Sequence, residues 1–97
     1  MHGAPPTQPI LNVTTPQPDD IIIDVRHPED AEQRPLLALT NRIIALPFFN
    51  LSKNANQLDK QQSYLVYCGK GIMNRLLAEA LCKQGFMNIG VFTLATS

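Results

Sequence analysis

The stretch SYLVYCGKGIM, residues 63–73, places a short apolar run, a cysteine and a glycine-bearing loop in direct succession. The run that ends at Cys68 has the composition of a buried strand, and residues 74–84 have the apolar spacing of a helix. In a loop between a strand and a helix, backbone N–H groups point inward, and the helix start adds its positive dipole end. Such a loop favours an anion, and we therefore expect Cys68 to react as a thiolate.

Apolar runs on both sides of this stretch extend the pattern of strands. The run IIIDV at 21–25 is β-branched and almost continuously apolar, which is typical of a parallel strand covered on both faces. Together with the connections between them, these runs predict an α/β domain with a mainly parallel five-stranded sheet flanked by helices. Cys68 then lies at the carboxyl edge of the sheet, where such folds place their sites. The predicted strands are 10–14, 21–25, 43–48, 63–68 and 89–94.

The connections differ in how strongly they predict helices. Residues 29–33 favour a helical turn that Pro35 ends, and residues 51–58 have a weak helical pattern. Residues 74–84 give the clearest helix, and Gly85 is well placed as the residue that ends it. The apolar residues at helical spacing on this last segment are Leu76, Leu77, Ala80 and Leu81.

Length and composition predict one globular domain. The chain has 97 residues, 44% of them hydrophobic and 16% charged. Eight Lys and Arg balance eight Asp and Glu, so we do not expect this chain itself to bind nucleic acid directly. No apolar run is long enough for a membrane span or a signal peptide, and we expect a soluble, cytoplasmic protein. Residues 1–9 are proline-rich and read as a flexible tail or linker remnant, with the domain in 10–97.

The other residues with ionisable or reactive side chains are expected to have structural roles. Asp24 and Arg26 end a predicted strand, and an ion pair or a cap near the site is their expected role. Cys82 lies far along the helix after Cys68, which predicts a small core residue and no disulfide. His27 precedes a proline in a turn and is expected to face solvent. Two cysteines and two histidines, His2 included, do not have zinc spacing, so no metal site is expected. We expect no cofactor.

Two segments together resemble a known family. IIIDVRHPED at 21–30 and YCGKGIMNRLLAEALCKQGF at 67–86 are similar to rhodanese (sulfurtransferase) domains, in which an aspartate and an arginine end an early strand and a cysteine heads a loop before a helix. With ALPFFNLS at 45–52 and KQGFMNIGVF at 83–92, the order resembles the C-terminal rhodanese domain of bacterial tRNA 4-thiouridine sulfurtransferases. The resemblance covers about residues 20–94.

This resemblance implies a rhodanese-like fold and a sulfur-carrier cysteine. Cys68 would accept a sulfane sulfur, become a persulfide and pass the terminal sulfur on. The residues after it would form the loop that binds the anion, with Lys70 adding a positive charge at the mouth and glycines allowing the backbone angles. The implied loop residues are Gly69, Lys70, Gly71, Ile72, Met73, Asn74 and Arg75. Arg75 could equally face away and pair with a carboxylate.

The resemblance also implies partners. The sulfur donor would be the persulfide of a cysteine desulfurase, and the acceptor a protein or a tRNA held by other domains. The pathways implied are synthesis of 4-thiouridine in tRNA and of the thiazole of thiamine. The 97 residues contain neither an ATP-using nor a tRNA-binding domain, so we expect this chain alone to carry sulfur without modifying tRNA.

Three other functions remain open from the residues alone. A cysteine phosphatase or arsenate reductase uses a similar loop but needs an arginine six positions after the cysteine, where this chain has Asn74. A non-catalytic rhodanese-type module would bind a partner and would not need Cys68. A free-standing thiosulfate sulfurtransferase would use the same cysteine with a small acceptor.

Overall fold

The chain alternates strands and helices from the second strand onward. The computed structural model describes residues 10–36, 40–69 and 73–93. Within these residues the strands are β1 (Leu11–Val13), β2 (Ile21–Asp24), β3 (Ile43–Ala45), β4 (Ser63–Tyr67) and β5 (Asn88–Phe92). The α-helices are α1 (Pro28–Gln33), α2 (Leu51–Asn54) and α3 (Asn74–Lys83). Short 3₁₀ turns lie on either side of α2, at Phe48–Asn50 and Ala55–Gln57.

The five strands form one sheet in the order β1-β5-β4-β2-β3, and every neighbouring pair is parallel. β2 and β4 lie next to each other inside the sheet, with Ile22 opposite Leu65 and Ile23 opposite Val66. Their sequences are apolar at successive positions because both faces of these strands are covered. The predicted α/β class with a five-stranded parallel sheet is confirmed. The carboxyl ends of β2 and β4 consequently meet at one edge.

The core occupies both faces of the sheet. Ile23 and Val66 on one face are fully buried and pack with α2 and α3, while Ile22 on the other face packs with Leu65 and Phe92. Full burial of each such side chain contributes about 1.5–3 kcal/mol. These contacts hold β2 and β4 rigidly, and with them the residues that follow each strand.

Gly85 ends α3, as the sequence predicted. Its φ of +104° lies in the left-handed region. The Gly85 N–H donates to the Cys82 carbonyl at 3.1 Å, and the Phe86 N–H donates to the Leu81 carbonyl at 3.2 Å. This pair of bonds is a Schellman motif, and the buried side chains of Leu81 and Phe86 supply its apolar contact.

Replacing Gly85 with alanine should lower the free energy of unfolding by roughly 1–2 kcal/mol, the cost of a left-handed φ for a residue with a Cβ. An added Cβ would stand 3.7 Å from Lys60 Cδ, an ordinary contact, so the loss would come from the backbone alone. Urea unfolding measures it. The control is Gln84→Ala, at φ −85°, which should change stability by less than about 0.5 kcal/mol. Equal stability of the two variants would contradict this explanation.

The prediction for the apolar face of α3 was partly wrong. Leu81 is buried and Leu77 is half-buried, but Leu76 is 66% exposed and Ala80 is only half-buried. The buried stripe runs through Asn74, Leu77, Ala78 and Leu81, at the spacing of one helix face. Leu76 lies about 200° around the helix from Asn74 and from Ala78, so it faces away from the sheet.

The third predicted strand, 43–48, is too long. β3 ends at Ala45, and Phe48 begins a 3₁₀ turn. Pro47 has no N–H to continue the ladder, and the Phe48 N–H instead donates to the Val25 carbonyl at 2.9 Å. This bond brings Phe48 to the carboxyl edge of the sheet. The other predicted strands agree with the structure to within two residues at the described ends, and both weaker helical segments form.

Several predictions lie outside the described residues. They concern the tail at 1–9, the loop residues Lys70, Gly71 and Ile72, and the strand end at Leu94. Across the described ranges, no helix has the length and apolar character needed to cross a membrane.

Candidate functional site

Cys68 lies at the carboxyl edge of the sheet, directly after β4, and is half-buried. A cavity of about 600 Å³ opens at this edge, and Cys68 forms part of its wall. Because β2 and β4 are parallel neighbours, the residues after β2 reach the same cavity. The expectation that Cys68 lies at this edge is confirmed.

The cavity wall draws on five parts of the chain. They are the segment after β2 (Val25, Arg26, His27), α1 with its end (Asp30, Gln33, Arg34), the first 3₁₀ turn (Phe48), the segment from the end of β4 (Tyr67, Cys68, Gly69), and the start of α3 (Met73, Leu77). Three of the wall residues carry formal charges, namely Arg26, Asp30 and Arg34.

Asp24 and Arg26 form the predicted ion pair. Arg26 Nε donates to Asp24 Oδ1 at 2.9 Å and its Nη2 donates to Oδ2 at 2.8 Å, a bidentate arrangement. The Arg26 backbone N–H also donates to Oδ1 at 3.1 Å, and Nη1 donates to the Arg34 carbonyl at 2.7 Å. Both side chains are 6% exposed. The pair therefore ties the end of β2 to the end of α1, with Arg26 in the cavity wall.

The Arg26 guanidinium also stacks on Tyr67. Its Cζ lies 4.9 Å from the ring centroid, a cation–π contact. The hydrogen bond to Asp24 raises the pKa of Arg26, against the opposing effect of burial, so Arg26 remains a cation. Burial raises the pKa of Tyr67, with Arg26 opposing the shift, so its phenol keeps its proton at neutral pH.

The backbone at position 69 requires a residue without a side chain. Its φ is +85°, in the left-handed region, and an added Cβ would stand only 3.3 Å from Arg26 Cδ. The first step of the loop after Cys68 thus has the backbone freedom that the sequence predicted for a glycine there. Gly71, the second glycine of this argument, is outside the described residues.

The other described members of the predicted loop have different positions. Met73 lines the cavity and is 41% exposed. Asn74 is buried as the first residue of α3, and Arg75 is exposed, with its Nη2 donating to the Ile10 carbonyl at 3.5 Å. Asn74 and Arg75 are not part of the described cavity wall, and Arg75 points toward the start of β1.

His27 is exposed, as predicted, and caps the N-terminus of α1. Its Nδ1 accepts a hydrogen bond from the Glu29 N–H at 3.2 Å, and its ring lies 6.0 Å from that of Phe49. This capping role fixes the ring at the cavity edge.

Sequence reasoning missed four wall residues that matter for the chemistry of the cavity: Asp30, Arg34, Phe48 and Tyr67. Of these four, only Tyr67 could have been predicted from the sequence, because strand alternation places its side chain on the opposite face from Val66 and it directly precedes Cys68. The other three come from connections whose path the sequence did not predict.

Cys82 is half-buried against the main core, in agreement with its predicted packing role. Burial raises the pKa of its thiol, and the Glu79 carboxylate adds to the shift. No disulfide joins Cys82 to Cys68. No cluster of three or more His, Cys, Asp or Glu suited to a metal occurs in the described part of the chain.

Iodoacetamide should modify Cys82 several-fold more slowly in the folded chain than in concentrated urea at the same pH, because less thiolate forms and the sulfur is half-buried. Using Cys68→Ser leaves Cys82 as the only thiol, and mass spectrometry counts the adducts. Equal rates in the folded and unfolded states would show that the thiol is open to solvent.

Comparison with known proteins relates the chain to one segment of longer proteins. It is 41% identical over 75 residues to the tRNA sulfurtransferase of Haemophilus ducreyi, which is 77% of this chain and 16% of that protein. It is 45% identical over 73 residues to that of Shewanella frigidimarina, which is 75% of this chain and 15% of that protein. The match to that of Marinobacter nauticus is 40% over 83 residues, 86% of this chain and 17% of that protein.

The chain thus spans about one sixth of the length of these curated relatives. No family model matches the chain. No solved structure matches it.

Proposed function

We propose that this chain is a rhodanese-type sulfurtransferase domain, spanning residues 10–97, that carries sulfane sulfur as a persulfide on Cys68. The position of Cys68 carries the proposal: the thiol lies in the wall of an open cavity of about 600 Å³, at the carboxyl end of an inner strand. The similarity to proteins named tRNA sulfurtransferase supports the same reaction class.

The first chemical step is sulfur transfer to the Cys68 thiolate. The thiolate attacks the terminal sulfur of a donor persulfide, R–S–SH, and forms a new S–S bond as the donor S–S bond breaks. The donor leaves as the thiolate RS⁻, and the proton stays on the transferred sulfur until it ionises to solvent. No net oxidation or reduction occurs, since one persulfide replaces another.

The second step is transfer to an acceptor. With a nucleophilic acceptor, such as the thiolate of an acceptor protein, the acceptor attacks the terminal sulfur of the Cys68 persulfide, a new S–S bond forms on the acceptor, and the S–S bond on Cys68 breaks. Cys68 returns as a thiolate, ready for another donor. Its half-buried position restricts access to the sulfur, and Arg34 in the same wall favours an anionic group.

The loop after Cys68 supplies the anion-binding groups in this proposal. Backbone N–H groups of residues 69–73, followed by the start of α3, would stabilise the persulfide anion, with Lys70 at the mouth. The left-handed φ of Gly69 supports this, because such backbone turns are typical of loops whose N–H groups converge.

The donor that we propose is a cysteine desulfurase persulfide, and the destinations are 4-thiouridine in tRNA and the thiazole of thiamine, in the cytoplasm. The chain has zero formal net charge, so tRNA would be held by other domains of a larger assembly and not by this one.

Mass spectrometry tests the proposal most directly. The 97-residue chain is incubated with a cysteine desulfurase and cysteine, digested without reductant, and mapped. We expect one added sulfur on the peptide that contains Cys68. A desulfurase-free sample is the control. Sulfur found on Cys82 alone, or on neither cysteine, would refute the proposal.

A further inference from the structure

The hydroxyl of Tyr67 has an unusual position for a buried polar group. Tyr67 is 5% exposed and lines the cavity beside Cys68. None of the described residues forms a hydrogen bond with its hydroxyl, whereas the other tyrosine of β4, Tyr64, donates from its hydroxyl to the Asp59 carbonyl at 2.7 Å. A buried polar group without a partner destabilises the folded state, so one that faces a cavity points to a ligand.

The Tyr67 ring is held in place by its neighbours. The Arg26 guanidinium stacks on it at 4.9 Å and the Phe92 ring lies 5.5 Å away. The hydroxyl lies 3.9 Å from the point where a Cβ on Gly69 would stand, so it is next to the residue that follows Cys68. A side chain fixed on an inner strand presents its hydroxyl at a constant position, which is what a binding contact requires.

We propose that the Tyr67 hydroxyl donates a hydrogen bond to the anionic sulfur group carried on Cys68, and so acts as a binding residue for the transferable sulfur. The inference rests on the proposed function above. The Arg26 guanidinium is already hydrogen-bonded to Asp24 and to the Arg34 carbonyl. The Tyr67 hydroxyl takes no part in these bonds and can donate to the sulfur group. A phenol that keeps its proton can donate without neutralising the persulfide anion.

The exchange equilibrium with glutathione persulfide tests this. In that exchange, sulfur moves from glutathione persulfide to Cys68 and glutathione leaves. Tyr67→Phe should lower the equilibrium constant roughly tenfold, because a hydrogen bond to a charged group is lost. Thermal unfolding should stay close to wild type. Tyr64→Phe is the matched control: it should lower thermal stability and leave the equilibrium constant unchanged.

Tyrosine spectroscopy adds a readout that a purely structural role would not affect. The chain has two tyrosines and no tryptophan, so its tyrosine absorption band, which lies at longer wavelength than that of its four phenylalanines, reports on Tyr64 and Tyr67. Sulfur loading should shift this band in the wild type and in Tyr64→Phe, and leave it unshifted in Tyr67→Phe.

The outcomes separate the two proposals. If the wild type takes up no sulfur on Cys68, the proposed function fails and this inference fails with it. If the wild type loads and Tyr67→Phe has the same equilibrium constant, or keeps the spectral shift, the role of Tyr67 is overturned while sulfur transfer stands.

Discussion

Replacing Cys68 with alanine should abolish sulfur loading, because no other described thiol lies in the cavity wall. The fold should survive. The change removes one half-buried sulfur atom, comparable to a methylene group, and should lower the free energy of unfolding by about 0.8 kcal/mol or less. Loading is measured with ³⁵S-labelled cysteine and a cysteine desulfurase, and stability by urea unfolding.

Cys82→Ala is the matched control for this experiment, since it removes the same atom from a thiol that packs against the core. It should keep most of the sulfur loading and lose stability instead. A folded Cys82→Ala variant without activity would show that the second thiol takes part. Labelled sulfur retained by Cys68→Ala would contradict the carrier role of Cys68.

Breaking the ion pair between Asp24 and Arg26 should have the largest effect on stability. Asp24→Asn leaves the Arg26 guanidinium buried without its carboxylate, and removing one partner of a buried pair costs about 3–5 kcal/mol. For a domain of this size such a loss is a large part of the total stability. Urea unfolding at neutral pH measures it, with circular dichroism to detect the unfolded fraction.

A double variant separates charge burial from the general effect of mutation. Asp24→Leu combined with Arg26→Met removes both charges and fills similar volume, so it should recover most of the stability that the single variant loses. Its remaining loss would come from three lost contacts: the Arg26 bond to the Arg34 carbonyl, the stacking on Tyr67, and the bond from the backbone N–H of residue 26 to the Asp24 carboxylate. Single and double variants of equal stability would show that the unpaired charge is not the cause.

Much of the site could be predicted because local patterns and chain order decide it. The apolar run at 63–68 predicts a strand, and a residue at the end of a parallel strand must reach the carboxyl edge, so the position of Cys68 followed directly. Asp24 and Arg26 are two residues apart after a strand, close enough to pair without any knowledge of the fold. Gly85 was predictable because a helix end with a left-handed residue favours glycine.

Other features depend on contacts between distant segments. Leu76 has an apolar side chain, yet it is exposed because the sheet covers only the stripe through Ala78 and Leu81. Phe48 joins the cavity wall through a backbone bond to Val25, far away in the chain. Periodicity reports which residues share a helix face, and it does not report which face the sheet will cover.

By itself, the sequence determined the succession of strands and helices along the chain, the parallel sheet and the position of Cys68 directly after β4, because these follow from hydrophobic spacing and turn residues along neighbouring positions. Only the tertiary structure decided that Arg34, Phe48 and Tyr67 share one wall with that cysteine. Their distances are fixed by the register of β2 against β4 and by the path of the connections, which are properties of the whole packed domain.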